Sequence, residues 1–199
     1  MKSREERLAE VDEILIEVRE MIDLTRDTGE VNELIALQML LRVTKELHTI
    51  SNVSDVITKV LDSTIAFADA DRAFLMLIEE DEPRFKMGRD RAGNYLTREE
   101  FSPSKGVMDQ VLESGKTAIV PDALNDEVLG KRESVQQLSL RTIMCSPLMI
   151  KRNIVGLLYV DSSRNPLTQY TKAHINVLAS LADQSAVAIT NAQKFETHE

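Results

Sequence analysis

The feature that most constrains the fold is a long apolar stretch from Thr142 to Asp161. It contains two apolar segments rich in β-branched residues, and a short polar segment from Lys151 to Asn153 separates them. Apolar runs of this length on either side of turn residues are typical of paired, buried strands. The sequence therefore predicts a buried β-hairpin around which the other helices and strands pack.

Three further segments have the pattern of strands. Arg72 to Glu79 is apolar and ends in a polar turn, after which Phe85 and Met87 alternate with a lysine and a glycine. This alternation predicts a half-buried partner strand. Thr117 to Val120 predicts a short strand. Strands joined by tight turns favour an antiparallel sheet with helices packed on its faces, which is the α+β class.

Local signals place the ends of two predicted helices. Asn52 is suited to cap a helix that carries an acidic residue three positions later, and this helix is expected to end near Asp69. A middle helix is expected to begin after Ser104 or after Ser102. It is expected to end at Gly115, because glycine accepts the left-handed conformation that closes many helices.

Two segments near the ends of the chain have the spacing of helix–helix seams. Within the first 24 residues, apolar residues recur at alternating spacings of three and four, and this heptad seam is too narrow to form a core alone. A second copy of the chain could cover it, and the alternative is a solvated helix docked on its own domain. A similar seam of leucines and small residues lies in the final helix, expected over about 168–195. The two predicted dimer seams consist of Leu8, Val11, Leu15, Val18 and Ile22, and of Leu178, Leu181, Ser185, Ala188 and Ala192.

Composition disfavours several classes of protein. The net charge is −9 and the basic residues are scattered, whereas nucleic-acid binding needs clustered Lys and Arg. No stretch approaches the ~20 apolar residues of a membrane span, and the first residues lack the apolar core of a signal peptide. Cys145 is the single cysteine, which suits a reducing compartment. We therefore expect a cytoplasmic protein, with no nucleic-acid partner and no membrane contact through this chain.

The residue types that catalysis requires do not form a motif. The sequence has no nucleophile elbow, no metal-ligand pair at helical spacing and no phosphate-binding glycine cluster. Its three histidines are far apart. Cys145 lies inside the hairpin, where a small buried thiol is the favoured interpretation. We therefore predict no catalytic residue, no metal site and no enzyme activity in this chain.

Several segments together resemble the GAF domain, a sensory module found in many bacterial signalling proteins. Two of them lie in the hairpin region, at 139–148 and 154–161, and a third is the final helix from Leu178 to Ala192. The segments 88–93 and 111–116 fit as well. The resemblance covers about 34–195, with the segments in the correct order.

The resemblance implies a central antiparallel sheet of five to six strands. Terminal helices would pack on one face, and a middle helix and a long loop on the other face could enclose a small molecule. Residues 1–30 would form an N-terminal heptad helix for signalling and dimerisation, and residues 31–197 the GAF domain. The resemblance further implies a homodimer that controls a fused C-terminal output domain, such as a cyclase, a kinase or a phosphatase.

The ligand is expected to be an unidentified small molecule, and no certain cofactor is indicated. Family members that bind cyclic nucleotides carry an Asn-Lys pair and then Phe-x-x-x-Asp-Glu. Here Asn165 and Tyr170 match in part, but the lysine is missing and His174-Ile175 replaces the acidic pair. Binding of a cyclic nucleotide is therefore an alternative, and so is a ligand-free dimerisation scaffold. A sulfoxide reductase is disfavoured because Cys145 has no resolving partner.

Candidate pocket residues follow from position in the expected fold. Methionine adapts to irregular cavities, but it is an equally good core residue. The two arginines that flank Asp90 could hold an anion, or they could pair with nearby acidic residues at a solvated strand edge. The candidates are Phe74, Met76, Met87, Arg89, Arg91, Met108, Met144 and Tyr159.

Overall fold

A computed structural model of the protein describes residues 31–47, 49–50, 52–126, 131, 135–136, 138–163 and 172–196. The strands of this part of the chain form one six-stranded antiparallel sheet, in the order β3-β2-β1-β6-β5-β4. The predicted α+β class is confirmed. The elements are α1 (Val31–Leu47), α2 (Val53–Ala68), β1 (Arg72–Glu79), β2 (Glu82–Asp90), β3 (Tyr95–Leu96), α3 (Lys105–Ser114), β4 (Ala118–Val120), β5 (Thr142–Ile150), β6 (Asn153–Ser162) and α4 (Lys172–Glu196).

The predicted hairpin is confirmed and supplies two of the four inner strands. β5 and β6 pair from Thr142↔Ser162 to Ile150↔Asn153, and Lys151 takes a left-handed conformation with φ 58° at the turn between them. β6 also pairs with β1. At Gly156 in β6, a Cβ atom would lie 2.4 Å from the Met76 carbonyl oxygen, so the backbone there leaves no room for a side chain.

Local sequence signals set the helix ends as predicted. The Asn52 Oδ1 accepts a hydrogen bond from the Asp55 N–H at 3.1 Å, which satisfies one of the free donors at the start of α2. α2 ends at Asp69, whose φ of 48° is left-handed. Gly115 ends α3 with φ 65°, and its N–H donates to the Val111 carbonyl oxygen at 2.9 Å.

The sheet separates two apolar cores. On one side, which we call the helix face, residues such as Leu75 and Leu158 pack among α2 and α4, and α1 packs on these two helices. On the other side, which we call the aromatic face, their neighbours Phe74 and Tyr159 pack against α3 and the segment before it. Successive residues of a strand point to opposite faces, so the same strands carry both cores. The expected placement of terminal helices and middle helix on opposite faces is confirmed.

The seam predicted on α4 is buried within its own chain. All five of its residues are at most 4% exposed, and the Ser185 Oγ donates to the Leu181 carbonyl oxygen at 2.6 Å. The structure thus places these side chains in the core of the chain's own fold and not on a surface open to a second copy. Periodicity identifies a stripe that is buried, but it does not identify what buries it. The seam predicted from Leu8 to Ile22 lies outside the described residues.

One irregularity in the sheet changes which face a side chain occupies. Leu75 pairs with Met87 and Met76 pairs with Phe85, so β2 has one extra residue, Lys86, at this point. Such a bulge reverses the alternation of side chains beyond it. Phe85 therefore packs on the aromatic face and Met87 on the helix face, although their spacing predicted a common face.

Candidate ligand-binding face

The structure divides the eight candidate pocket residues between the two faces. Four of them, Phe74, Met76, Met108 and Tyr159, belong to the aromatic face. Met144 and Met87 belong to the helix face. β5 is buried on both sides, so its apolar pattern gave no sign that Met144 points away from the neighbouring Cys145.

Arg89 and Arg91 tie β2 to α2 and do not line the aromatic face. The Arg89 guanidinium donates to both Asp62 carboxylate oxygens at 2.9 and 3.0 Å and stacks 4.5 Å from the Tyr95 ring centre. These bonds to Asp62 raise the pKa of Arg89. Arg91 donates to the Ala70 carbonyl oxygen and pairs with Asp69. The alternative in which these arginines pair with nearby acidic residues is the one that the geometry supports.

Four aromatic side chains form the centre of the aromatic face. The Phe101 ring centre lies 4.7 Å from that of Phe74, 5.6 Å from that of Phe85 and 5.9 Å from that of Tyr159. Aromatic pairs at such tilted or edge-on geometries add to the free energy of burial. Phe101 is 6% exposed although it lies in a polar segment between β3 and α3. Its burial was not predicted, and the one local signal for it is that Phe101 is the single aromatic residue between β3 and α3.

Tyr159 connects this cluster to the start of α3. Its hydroxyl oxygen accepts a hydrogen bond from the Ser104 N–H at 3.0 Å, and burial raises the pKa of the Tyr159 phenol far above its ordinary value. The phenol therefore stays neutral. The Ser104 Oγ is buried and has no hydrogen-bond partner within the described part of the chain, so a polar atom on this face is left available.

A buried ion pair closes the edge of the aromatic face. Arg72 donates to both Asp161 carboxylate oxygens at 2.8 and 2.6 Å, and Asp161 is 2% exposed. Burial raises the pKa of Asp161, and the bonds from Arg72 oppose that rise. Arg72 also donates to the Glu100 carbonyl oxygen at 3.2 Å and lies 5.1 Å from the Phe74 ring centre. The ion pair thus holds the segment that carries Phe101.

Cys145 belongs to the aromatic core and is fully buried. Burial raises the pKa of its thiol well above the ordinary value, and a thiol in this state is a poor nucleophile. Among the described residues, no three His, Cys, Asp or Glu side chains lie together as metal ligands would. In the same part of the chain, every helix is too short or too polar to cross a bilayer.

A family model for the GAF domain matches residues 52–189, which is more than half of the 199 residues. The chain belongs to the family of the GAF domain, a regulatory domain. The family expected from the hairpin and the final helix is therefore confirmed.

Two relatives are signalling proteins. The chain is 23% identical over 188 residues to a probable 3′,5′-cyclic phosphodiesterase, pde-5, of Caenorhabditis elegans, with 85% of this chain and 26% of that protein covered. It is 22% identical over 167 residues to diguanylate cyclase A of Treponema denticola, with 82% and 45% covered. The chain thus spans less than half the length of either relative.

A solved GAF domain from a phosphoenolpyruvate-protein phosphotransferase of Coxiella burnetii has the same fold. Its TM-score to this chain is 0.65 at 15% sequence identity, and the comparison covers 85% of this chain and 99% of that domain.

Proposed function

We propose that the chain is a non-catalytic sensory module that binds a small molecule on its aromatic face and controls a fused output domain. The supporting observation is that the same strands carry both faces. Phe74 and Tyr159 line the aromatic face, while their strand neighbours Leu75 and Leu158 pack among the terminal helices. A ligand that shifts these strands therefore acts directly on the helices that connect to other domains. Both signalling relatives are longer than the match to this chain, which supports a fused output.

Native mass spectrometry of freshly purified protein tests whether a small molecule binds. We expect a mass above that of the polypeptide, lost on denaturation, or a specific mass shift with one compound of a metabolite library. The control is the same protein with Phe74 replaced by alanine, which disrupts the aromatic face. If wild-type protein acquires no compound, the ligand-free scaffold becomes the better proposal. The observation that favours a scaffold is the dense packing of Phe101 on this face.

A cyclic nucleotide is the second ligand candidate, because one relative is named as a cyclic phosphodiesterase. Calorimetric titration with cyclic AMP, cyclic GMP and cyclic di-GMP separates it from other ligands, with AMP and GMP as controls. Saturable heat with a cyclic nucleotide and none with its linear form would support this candidate, and no heat with any of them would remove it.

We propose that the module works as a homodimer through the outer surface of its terminal helices. Leu37 on α1 and Val187 and Phe195 on α4 are large apolar side chains that are 38–63% exposed. A second copy of this chain is the proposed partner, because the heptad seam from Leu8 to Ile22 precedes α1 in the sequence and needs a matching helix.

Removal of residues 1–30 is expected to weaken association at least tenfold, because it deletes that seam while leaving the packed domain intact. Light scattering and sedimentation at micromolar concentrations measure the change. A second test keeps the full length and replaces Leu8 and Leu15 with serine. This variant should also associate more weakly, because it disrupts the same seam without deleting residues. A full-length protein that is monomeric at these concentrations would contradict the proposal.

A further inference from the structure

The segment from Thr97 to Ser104 contributes one large apolar side chain to the aromatic face. Phe101 inserts its ring among Phe74, Phe85 and Tyr159, while the residues next to it in the sequence, Glu100 and Ser102, are exposed. We call this segment the plug loop. Its apolar contribution to the core is thus concentrated in a single phenyl ring.

Among the described residues, two hydrogen bonds join the plug loop to distant parts of the chain. Its C-terminal end is fixed by the Ser104 N–H on the Tyr159 hydroxyl at 3.0 Å, and its middle by Arg72 on the Glu100 carbonyl oxygen at 3.2 Å. The remaining bonds are local, such as the Phe101 N–H on the Arg98 carbonyl oxygen at 3.3 Å. A segment with so few long-range bonds opens at a lower free energy than the strands beneath it.

The start of α3 offers polar groups that the closed loop does not use. The Val107 and Met108 N–H groups both donate to the Ser104 carbonyl oxygen. Within the described part of the chain, the N–H groups of Lys105 and Gly106 are the free donors of the first turn. The buried Ser104 Oγ, which has no partner within the described residues, lies at the same point. A helix N-terminus with free donors favours an anionic group.

We propose that Phe101 is a built-in substitute for the ligand, and that the plug loop must open before a planar aromatic anion takes its place. The ring of this ligand would occupy the slot between Phe74, Phe85 and Tyr159, and its anionic group would accept hydrogen bonds from the Ser104 hydroxyl and the first turn of α3. This inference rests on the proposed function and adds a way in which ligand binding is regulated. The apparent affinity is lowered by the fraction of molecules that are closed, so the plug loop sets the ligand concentration to which the module responds.

Hydrogen exchange without any ligand tests the opening. Replacing Tyr159 with phenylalanine removes the acceptor of the Ser104 N–H, and we expect amide exchange at Phe101 and Ser104 to rise about three- to tenfold. Exchange in α2 and α4 should not change, which separates loop opening from global destabilisation. The control is Ser104→Ala, in which no hydrogen bond is lost and exchange should not exceed that of the wild type. Equal exchange in Tyr159→Phe and the wild type would overturn the proposal.

Binding of two simple probes tests the ligand class. In Phe101→Ala the phenyl slot is empty, and benzoate should bind at least tenfold more tightly than to the wild type, as followed by NMR shifts. Adding Ser104→Ala should weaken benzoate about tenfold, because a hydrogen bond to a charged group is lost, and leave benzene binding unchanged. If benzoate binds no better than benzene, or ignores Ser104→Ala, the proposal is wrong. Both tests use no natural ligand, so their failure is distinguishable from failure to find one.

Discussion

Replacing Arg72 with methionine is expected to lower the free energy of unfolding by about 3–5 kcal/mol at neutral pH. Asp161 is 2% exposed, and both of its carboxylate oxygens accept bonds from Arg72. Methionine keeps the apolar bulk of the arginine stem but leaves a buried carboxylate without a cation. Urea unfolding followed by circular dichroism measures the loss.

The loss should also depend on pH, with a defined sign. In the variant nothing opposes the rise that burial causes in the pKa of Asp161, so the folded-state pKa lies above the unfolded value of about 3.9. The folded variant therefore holds this proton more tightly than the unfolded chain. The contribution of Asp161 to the stability of the variant is greatest below the unfolded pKa and is lost as the pH rises through the folded pKa. The deficit relative to wild type should be smaller at pH 5 than at pH 8.

The matched control is Arg84→Met, which removes the same side chain from an exposed pair with Glu82 at 3.1 Å. Exposed ion pairs contribute about 0–1 kcal/mol, so this variant should unfold nearly as the wild type does at either pH. If the free energy of unfolding falls no more in Arg72→Met than in Arg84→Met, the buried ion pair does not stabilise the fold as proposed. The same conclusion follows if the loss in Arg72→Met is equal at pH 5 and pH 8.

Features encoded by neighbouring residues were predictable from the sequence. The cap at Asn52 and the stop at Gly115 depend on side-chain or backbone properties within one helical turn. The hairpin depends on two adjacent apolar runs and the turn at Lys151. In each of these the physical cause and its effect lie close together in the chain.

Features that depend on distant residues were not predictable in this way. Arg72 and Asp161 are 89 positions apart, and the sequence around either residue does not indicate that the two form a pair. The extra residue at Lys86 moves Met87 to the helix face, and a bulge has no reliable local signal. Met144 lies in a strand that is apolar on both sides, so alternation could not assign its face.

Whether a residue of the candidate site was predicted depended on how apolar its own segment is. Phe74 and Tyr159 were found because they lie in strongly apolar strands. Phe101 and the buried Ser104 hydroxyl were missed because they lie in a polar segment, whose contact with the sheet is a tertiary feature. The plug loop is therefore visible only once the strands bring Phe74, Phe85 and Tyr159 together beneath it.

Replacing Phe74 with alanine is expected to lower the free energy of unfolding by about 3–5 kcal/mol. The ring is 0% exposed and contacts the rings of Phe85, Phe101 and Tyr159. It also fills the space above Gly88, where an added Cβ would lie 2.6 Å from the Phe74 Cδ1. Alanine therefore leaves a cavity at the centre of the sheet, and thermal and urea unfolding measure its cost.

Phe195→Ala is the matched control, because it makes the same chemical change at a side chain that is 63% exposed. Its effect on the monomer should stay within about 0.5 kcal/mol. The comparison separates the loss of a buried phenyl ring from the loss of an exposed one. A loss at Phe74 below about 1 kcal/mol would show that the aromatic face is not packed at its centre. Phe101 could then not act as a plug, because its ring packs directly on the Phe74 ring and needs that ring in a fixed position.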